Sequence, residues 1–503
     1  MRNQGTGTWP ARRARLAPGA TAISHGSRDF DYAMLDQRVT RLANGLRAKG
    51  VGHGDRIALL SPNHPAYLEM LFAAGLLGAV FVPLNARLTA AEIEYQCSDA
   101  GVSVLVHAAG LADVAARATS VTPDARRISL DDEYEALIAA APATRIDETV
   151  THSDICIVMY TSGTTARPKG VVLTHGNMLM AVMNAVLDLD LHSDENALVC
   201  APLFHTGALN MVALPTLLKG GRAVIIDGFE PGHVLSVIES ERITHLFGVP
   251  TMLDALSAHP SWQAADLSSV RRIVVAAAPV PLHTLRTFTD RGITMCQGYG
   301  LTESGPGALI LTAENAERKI GSAGVPHFFT DVRIVTPTGE GARPGERGEI
   351  QISGPNVMSG YWHRTDASAE ALTPDGWLHS GDVGVADEEG FITIVDRLKD
   401  MIITGGENVY PAEVEAELIE MPEVTGCAVF GVADPKWGET PCAAVTLAEG
   451  AQVDRERVAA FLAPRLARYK IPKAVHVVDE IPRNATGKIR KHELRARFGA
   501  REY

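Results

Sequence analysis

Short aliphatic and β-branched runs recur through the first three hundred positions, at 56–60, 102–106, 155–160, 223–226 and 273–275. Each is apolar at consecutive positions, so each would be covered on both faces. That pattern predicts strands of parallel sheets packed between helices. Helical periodicity between them predicts helices at 65–77, 89–97 and 231–241; Thr89 with Glu92 three residues on is a capping signature. The longest apolar run, Met70 to Leu84, is shorter than the ~20 residues a bilayer span needs. It contains Gly75, Gly78 and Pro83, and predicts a buried helix followed by a strand.

The pattern changes after about Gly321. Short strands are predicted at 332–335, 348–353 and 391–395, separated by Gly, Pro and Asp turns. After Asp396 it changes again, with helices predicted at 411–420 and 454–466 and strands at 424–432, 442–447 and 474–478. The expected fold class is α/β: a large N-terminal layered domain over 1–396 with a β-rich subdomain from about 321, then a small mobile α+β lid domain over 397–503.

The 503 residues carry 46 Lys and Arg against 59 Asp and Glu, a net charge of −13. An acidic chain is a poor general binder of nucleic acid. Six cysteines without a C-x-x-C pair do not make a disulfide framework and fit a reducing cytoplasm. Arg2, Arg12, Arg13 and Arg15 precede no apolar run, so a secretory signal is not expected. No integral membrane segment is expected either.

The strongest local signal is Tyr160-Thr161-Ser162-Gly163-Thr164-Thr165-Ala166-Arg167-Pro168-Lys169-Gly170, directly after an apolar strand. Hydroxyls and unpaired backbone N–H groups donate to phosphate oxygens, and Lys169 adds a point charge. The P-loop NTPase pattern fails on both sides of Lys169, where Pro168 and Gly170 stand. By composition alone, a polar surface turn that holds a lysine remains open.

This segment resembles the phosphate loop of the adenylate-forming superfamily of acyl-CoA synthetases, luciferases and nonribosomal adenylation domains. The resemblance continues in family order through Pro202-Leu203-Phe204-His205, Gln297-Gly298-Tyr299-Gly300-Leu301-Thr302-Glu303, Gly376-Trp377-Leu378-His379-Ser380-Gly381-Asp382, Asp396-Arg397-Leu398-Lys399-Asp400 and Pro482-Arg483-Asn484-Ala485-Thr486-Gly487-Lys488. It departs at Ala166, where the family carries Gly. It implies an AMP-forming carboxylate–CoA ligase that uses ATP, Mg²⁺ and coenzyme A. A carboxylate attacks the α-phosphorus of ATP, and a thiol then displaces AMP, so the first step requires neutralising two anions.

The resemblance also implies the roles. Thr161, Ser162, Gly163, Thr164, Thr165 and Lys169 would hold the phosphates, and Glu303 the Mg²⁺. Thr302 would donate to the α-phosphate, and Tyr299 would cover the adenine beside Ala277, Ala278, Pro279, Gln297, Gly298 and Gly300. Asp382 would take the ribose, and Arg397 would reach the same ribose or the phosphate. Lys488 would bridge the substrate carboxylate and the α-phosphate, His205 would gate the acyl pocket or orient the adenylate, and Lys399 would be the hinge. Gly405, Gly406 and Glu407 would line the pantetheine tunnel. Without the resemblance, Thr302-Glu303 reads equally as a helix start, Asp382 as a turn aspartate, Lys488 as a surface-turn lysine and His205 as a core histidine. The charged run after Lys488 reads as a solvated terminal helix.

The expected acyl pocket comprises His205, Thr206, Ala208, Leu209, Ala276, Ala277, Gly298, Gly300 and Leu301. Its wall segments, 205–211, 248–251, 276–279 and 298–301, carry no carboxylate, lysine or arginine, and His205 is their one basic side chain. An amino acid or dicarboxylate is therefore not expected. Arg2-Asn3-Gln4-Gly5 with Trp9-Pro10, and Pro62 to Glu69, look similar to bacterial feruloyl-CoA synthetases, and much of the rest to fatty-acyl-CoA ligases. The expected acid is an aromatic propenoic acid, with a fatty acid as the alternative. A carrier-protein-loading enzyme and a silent nucleotide-binding protein are the further alternatives. The resemblance leaves a homodimer open.

Overall fold

A computed structural model describes residues 2–122, 124–161, 167–278, 280–404, 407–483 and 489–499. The chain forms two compact units, one of residues 1–332 and 352–379 and one of residues 333–351 and 380–503.

Two sheets organise the first unit. In the seven-stranded one the order is Gly360–Tyr361, Lys169–Thr174, Ile155–Thr161, Val80–Leu84, Arg56–Leu60, Val102–His107, Arg126–Ser129. Its five last strands run parallel, and the two at the Gly360 edge are antiparallel. In the nine-stranded sheet, six parallel strands are flanked on both sides by antiparallel ones. The strand Arg56–Leu60 is buried over its last four positions and Val80–Leu84 over all five, as expected of strands covered on both faces.

Helices form where local signals agree. Thr89 and Glu92 make a reciprocal capping box at the start of Ala90–Ala100, and Glu230 accepts from Gly232 and His233 at the start of Pro231–Ser240. The long apolar run divides into the helix Ala66–Leu77 and the strand Val80–Leu84. Apart from Glu69, which pairs with Arg38, that helix is apolar and buried on nearly every side. The N-terminal segment packs against it backbone to backbone: a Cβ on Gly7 would lie 2.3 Å from the Leu76 nitrogen, and one on Gly75 would lie 2.6 Å from the Gly7 nitrogen. Two glycines therefore permit the contact.

Most residues of a four-stranded sheet of Asp331–Val335, Arg347–Ser353, Leu378–Ala386 and Ile392–Arg397 fall in the second unit. That unit also holds a five-stranded sheet centred on the long hairpin Val424–Asp434 and Gly438–Leu447. The strands expected in the N-terminal domain's β-rich part thus group with the C-terminal segment. The terminal helix is a correction. Lys491–Phe498 is solvated on one face only: His492 and Arg497 are exposed, whereas Leu494 and Phe498 are buried and the nearly buried Lys491 ammonium meets Glu415 at 2.9 Å. Arg495 pairs with Asp400 at 2.9 Å.

Among the described residues, no helix is long and apolar enough to cross a membrane. All six cysteines are buried, and none is in a disulfide.

Candidate active site

The strand Ile155–Thr161 turns back into Lys169–Thr174, with Thr161 opposite Lys169. The intervening Ser162, Gly163, Thr164 and Thr165 lie outside the described residues. The short strand Gly360–Tyr361 adds to the other edge of Lys169–Thr174, with Tyr361 opposite Val171. Side chains two apart on a strand share a face, so Lys169 is the diagonal neighbour of Tyr361. Its Nζ lies 5.0 Å from the centre of the tyrosine ring.

The Tyr361 hydroxyl donates to Glu303 Oε1 at 2.9 Å. Burial, reinforced by the negative Glu303, pushes the phenol far above its ordinary range, so it keeps its proton. Glu303 lies in the turn Thr302–Ser304, just after the strand Thr294–Tyr299. Neighbouring segments hold that turn tightly. Met358 N donates to the Glu303 carbonyl at 2.8 Å, and Asn356 Nδ2 donates to the carbonyls of Ser304 and Gly307 at 2.7 and 3.0 Å. Asn210 Nδ2 donates to the Gly305 carbonyl at 2.9 Å. Asn210 lies in a single π-helical turn, Leu209–Ala213, a widened geometry frequent at functional sites.

No group of three or more His, Cys, Asp or Glu gathers to hold a metal among the described residues. Glu303 offers one carboxylate with a single oxygen taken by Tyr361. That donor set fits Mg²⁺, which binds through one or two carboxylates and completes its shell with phosphate oxygens and water.

His205 precedes the short helix Thr206–Ala208, and its ring meets Phe204 edge-on at 4.7 Å. Burial first, and then the charge of Arg87, lowers its pKa to about 4, so the imidazole is neutral at pH 7. Arg87 lies in the turn that follows Val80–Leu84, outside every segment expected to line the pocket. Thr206, Ala208 and Leu209 are buried. Gly207 packs under Phe247, where a Cβ would fall 2.8 Å from the ring.

Parallel strands set Val275 beside Gln297. The next residues, Ala276 and Gly298, are near enough that a Cβ on Gly298 would lie 3.6 Å from that of Ala276. Gln297 is buried, and its amide nitrogen has no hydrogen-bond partner among the described residues. Ala277 has φ of 72°, a left-handed conformation unfavourable for any residue with a Cβ, and is exposed beside Ala278. Pro279 lies outside the described residues. Tyr299 ends its strand half-buried, opposite Leu309.

In the second unit, Asp382 faces Arg397 across antiparallel strands, with Oδ1 2.7 Å from Nε. Asp396 accepts from the backbone N–H of Arg397 and of Ala412, both at 2.7 Å, and so anchors the start of the helix Pro411–Leu418. Burial raises the Asp396 pKa. Lys399 lies in the turn Leu398–Asp400, and burial, then Arg397, lowers its pKa. Glu407 opens the strand Glu407–Val409 and is exposed. Gly405, Gly406 and Lys488 lie outside the described residues.

A family profile described as AMP-binding enzyme matches residues 10–362, and one described as AMP-binding enzyme C-terminal domain matches residues 413–488. The chain belongs to the AMP-binding enzyme family. It is an AMP-forming acyl-CoA synthetase, which consumes ATP and CoA. A feruloyl-CoA synthase of Amycolatopsis sp is 54% identical over 99% of this chain and 100% of its own length. An indoleacetate–CoA ligase of Aromatoleum aromaticum is 41% identical over 97% of each. The synthetase fold is similar to that of an o-succinylbenzoate CoA synthetase from Bacillus subtilis, solved with its acyl-adenylate. That likeness has a TM-score of 0.88 and 33% identity over 98% of each chain.

Three residues of this synthetase escaped the sequence reading. Tyr361 stands in Ser359-Gly360-Tyr361-Trp362, where an aromatic beside a glycine looks like any strand edge. Asn356, fully buried, and Arg87 carried no local pattern at all.

Proposed function

We propose that the acid activated is an aromatic propenoic acid of the ferulate or coumarate type. The full-length similarity to feruloyl-CoA synthases carries this reading. The wall around His205 supports it, being built of Thr206, Gly207, Ala208, Leu209 and Phe247 with a neutral imidazole and no carboxylate. A planar ring and a short conjugated linker suit such a wall, whereas an α-ammonium group would find no counter-ion there. The second reading is a fatty acid, favoured by 38% identity to long-chain-fatty-acid–CoA ligases of Mycobacterium tuberculosis. ATP–pyrophosphate exchange with cinnamic, coumaric, ferulic, benzoic and C8 to C18 fatty acids decides between them. Preference for the propenoic acids is expected; exchange confined to fatty acids would overturn the reading.

The proposed division of labour follows the family. Lys169 and the hydroxyl loop hold the β- and γ-phosphates, Glu303 holds Mg²⁺, and Thr302 donates to the α-phosphate. Mg²⁺, when bound, neutralises phosphate charge. Gln297 supplies its unpartnered amide to the nucleotide base beneath Tyr299, and Asp382 with Arg397 binds the ribose. Lys488 brings an ammonium between the two reacting anions during adenylation. A C-terminal lid from residue 397, turning about Lys399, then gives the thiol its entry past Gly405, Gly406 and Glu407. A cytoplasmic setting completes the proposal, supported by six buried thiols.

A further inference from the structure

The stretch 354–362 carries none of the chemistry assigned above, yet it joins the two parts of the first unit that handle phosphate charge. On one side it zips onto the strand that begins at Lys169: Ser359 N donates to the Val172 carbonyl at 3.0 Å and Trp362 N to the Gly170 carbonyl at 2.7 Å. On the other it grips the glutamate turn through Met358 N and Asn356 Nδ2. Asn356 is itself fixed, since its Oδ1 accepts from Thr330 Oγ1 at 3.0 Å, and that hydroxyl accepts from Asn184 Nδ2 at 3.0 Å. Asn177 Nδ2 donates to the carbonyls of Pro355 and Val357 at 2.8 Å each. Backbone on both sides is therefore pinned.

One side chain in this stretch touches a charged group on each side. The Tyr361 hydroxyl holds Glu303 Oε1, and its ring lies 5.0 Å from Lys169 Nζ. We propose that Tyr361 is a positioning residue for nucleotide activation: its hydroxyl fixes the rotation of the Glu303 carboxylate so that the second oxygen faces the metal, while its ring steadies the Lys169 ammonium. A glutamate has three rotatable side-chain bonds, and a carboxylate that rotates freely presents either oxygen or none. A neutral donor on one oxygen removes that freedom without competing for the cation. The ring holds the ammonium by its negative face and leaves all three N–H donors for phosphate oxygens. Tyr361 itself contacts no reacting atom in this scheme.

The proposal rests on adenylation chemistry and is independent of which acid is activated, so its test needs no acid. The full chain, Tyr361→Phe and Tyr361→Leu are compared by calorimetric titration with ATP, once in EDTA and once with saturating magnesium. Thermal unfolding of each ligand-free chain is recorded alongside. Tyr361→Phe keeps the ring and loses the hydroxyl. It is expected to bind metal-free ATP as the parent does and to lose roughly tenfold of the affinity gained with magnesium. Tyr361→Leu is expected to show the same magnesium loss and, in addition, weaker binding of metal-free ATP. A Tyr361→Phe chain with an unchanged magnesium gain overturns the proposal. So does one whose losses follow wholly from a lower ligand-free unfolding temperature.

Discussion

Asp382 and Arg397 face each other across neighbouring antiparallel strands, the carboxylate Oδ1 2.7 Å from the guanidinium Nε. The carboxylate is almost fully buried, while the guanidinium keeps contact with water. In the proposed ribose-binding role, the pair would offer the diol a negatively charged acceptor whose orientation the guanidinium already fixes. Asp382→Asn is expected to raise the KM for ATP by about 10- to 100-fold, the worth of a hydrogen bond to a charged group, and to leave the KM for the acid unchanged. Steady-state kinetics with each substrate varied in turn checks this. An unchanged KM for ATP removes Asp382 from the nucleotide site.

Gly300 lies where the chain passes close to itself just before the Thr302–Ser304 turn. A Cβ there would fall 1.6 Å from the Pro306 carbonyl oxygen, and backbone cannot swing aside as a side chain can. Gly300→Ala must therefore displace the Thr302–Ser304 turn. The expected outcome is a stability loss of about 2–3 kcal/mol by denaturant titration. Pyrophosphate exchange should fall more than ~100-fold, since misplacing a reacting geometry by about an ångström costs that much.

Lys488 is proposed to serve one half-reaction. Lys488→Ala should abolish acyl-adenylate formation yet still convert supplied acyl-adenylate and CoA into thioester. Single-turnover measurement of each half separates the two. Equal loss in both would take Lys488 out of that role.

Acid sensitivity follows from buried imidazoles. His175 is buried, its Nδ1 accepts the Thr6 backbone N–H at 3.2 Å, and burial lowers its pKa to about 4. An unfolded histidine titrates near 6.5, so between these values the unfolded chain binds the additional proton. Stability from His175 is thus complete above about pH 6.5 and falls as the pH drops toward 4, by up to about 1.4 kcal/mol per pH unit. Burial lowers the His245 pKa in the same direction. Urea unfolding at intervals from pH 7.5 to 4.5 should show this decline, and His175→Gln should flatten it. An identical slope in the variant would reject the assignment.

The strand cores and the capped helices were legible in the chain, and the order of its motifs marked the family. Thr89 and Glu92 sit three residues apart, so their reciprocal cap needs no distant partner. The run 70–84 announced a helix and a strand through Gly78 and its all-apolar composition. The terminal helix misled because its charges look solvated in sequence. Lys491 finds Glu415 and Arg495 finds Asp400 through tertiary packing.

Sequence alone determined what depends on near neighbours: periodicity, caps, turns and the succession of motifs that marks the family. Tertiary structure decided which of those side chains are braced and by what. Tyr361 reaches Glu303 across 58 positions, Asn356 reaches Ser304 across 52, and Arg87 bears on His205 from a separate loop. Such contacts leave no local pattern, because an isolated hydrogen bond or charge constrains distance in space and places no demand on the residues beside it in the chain.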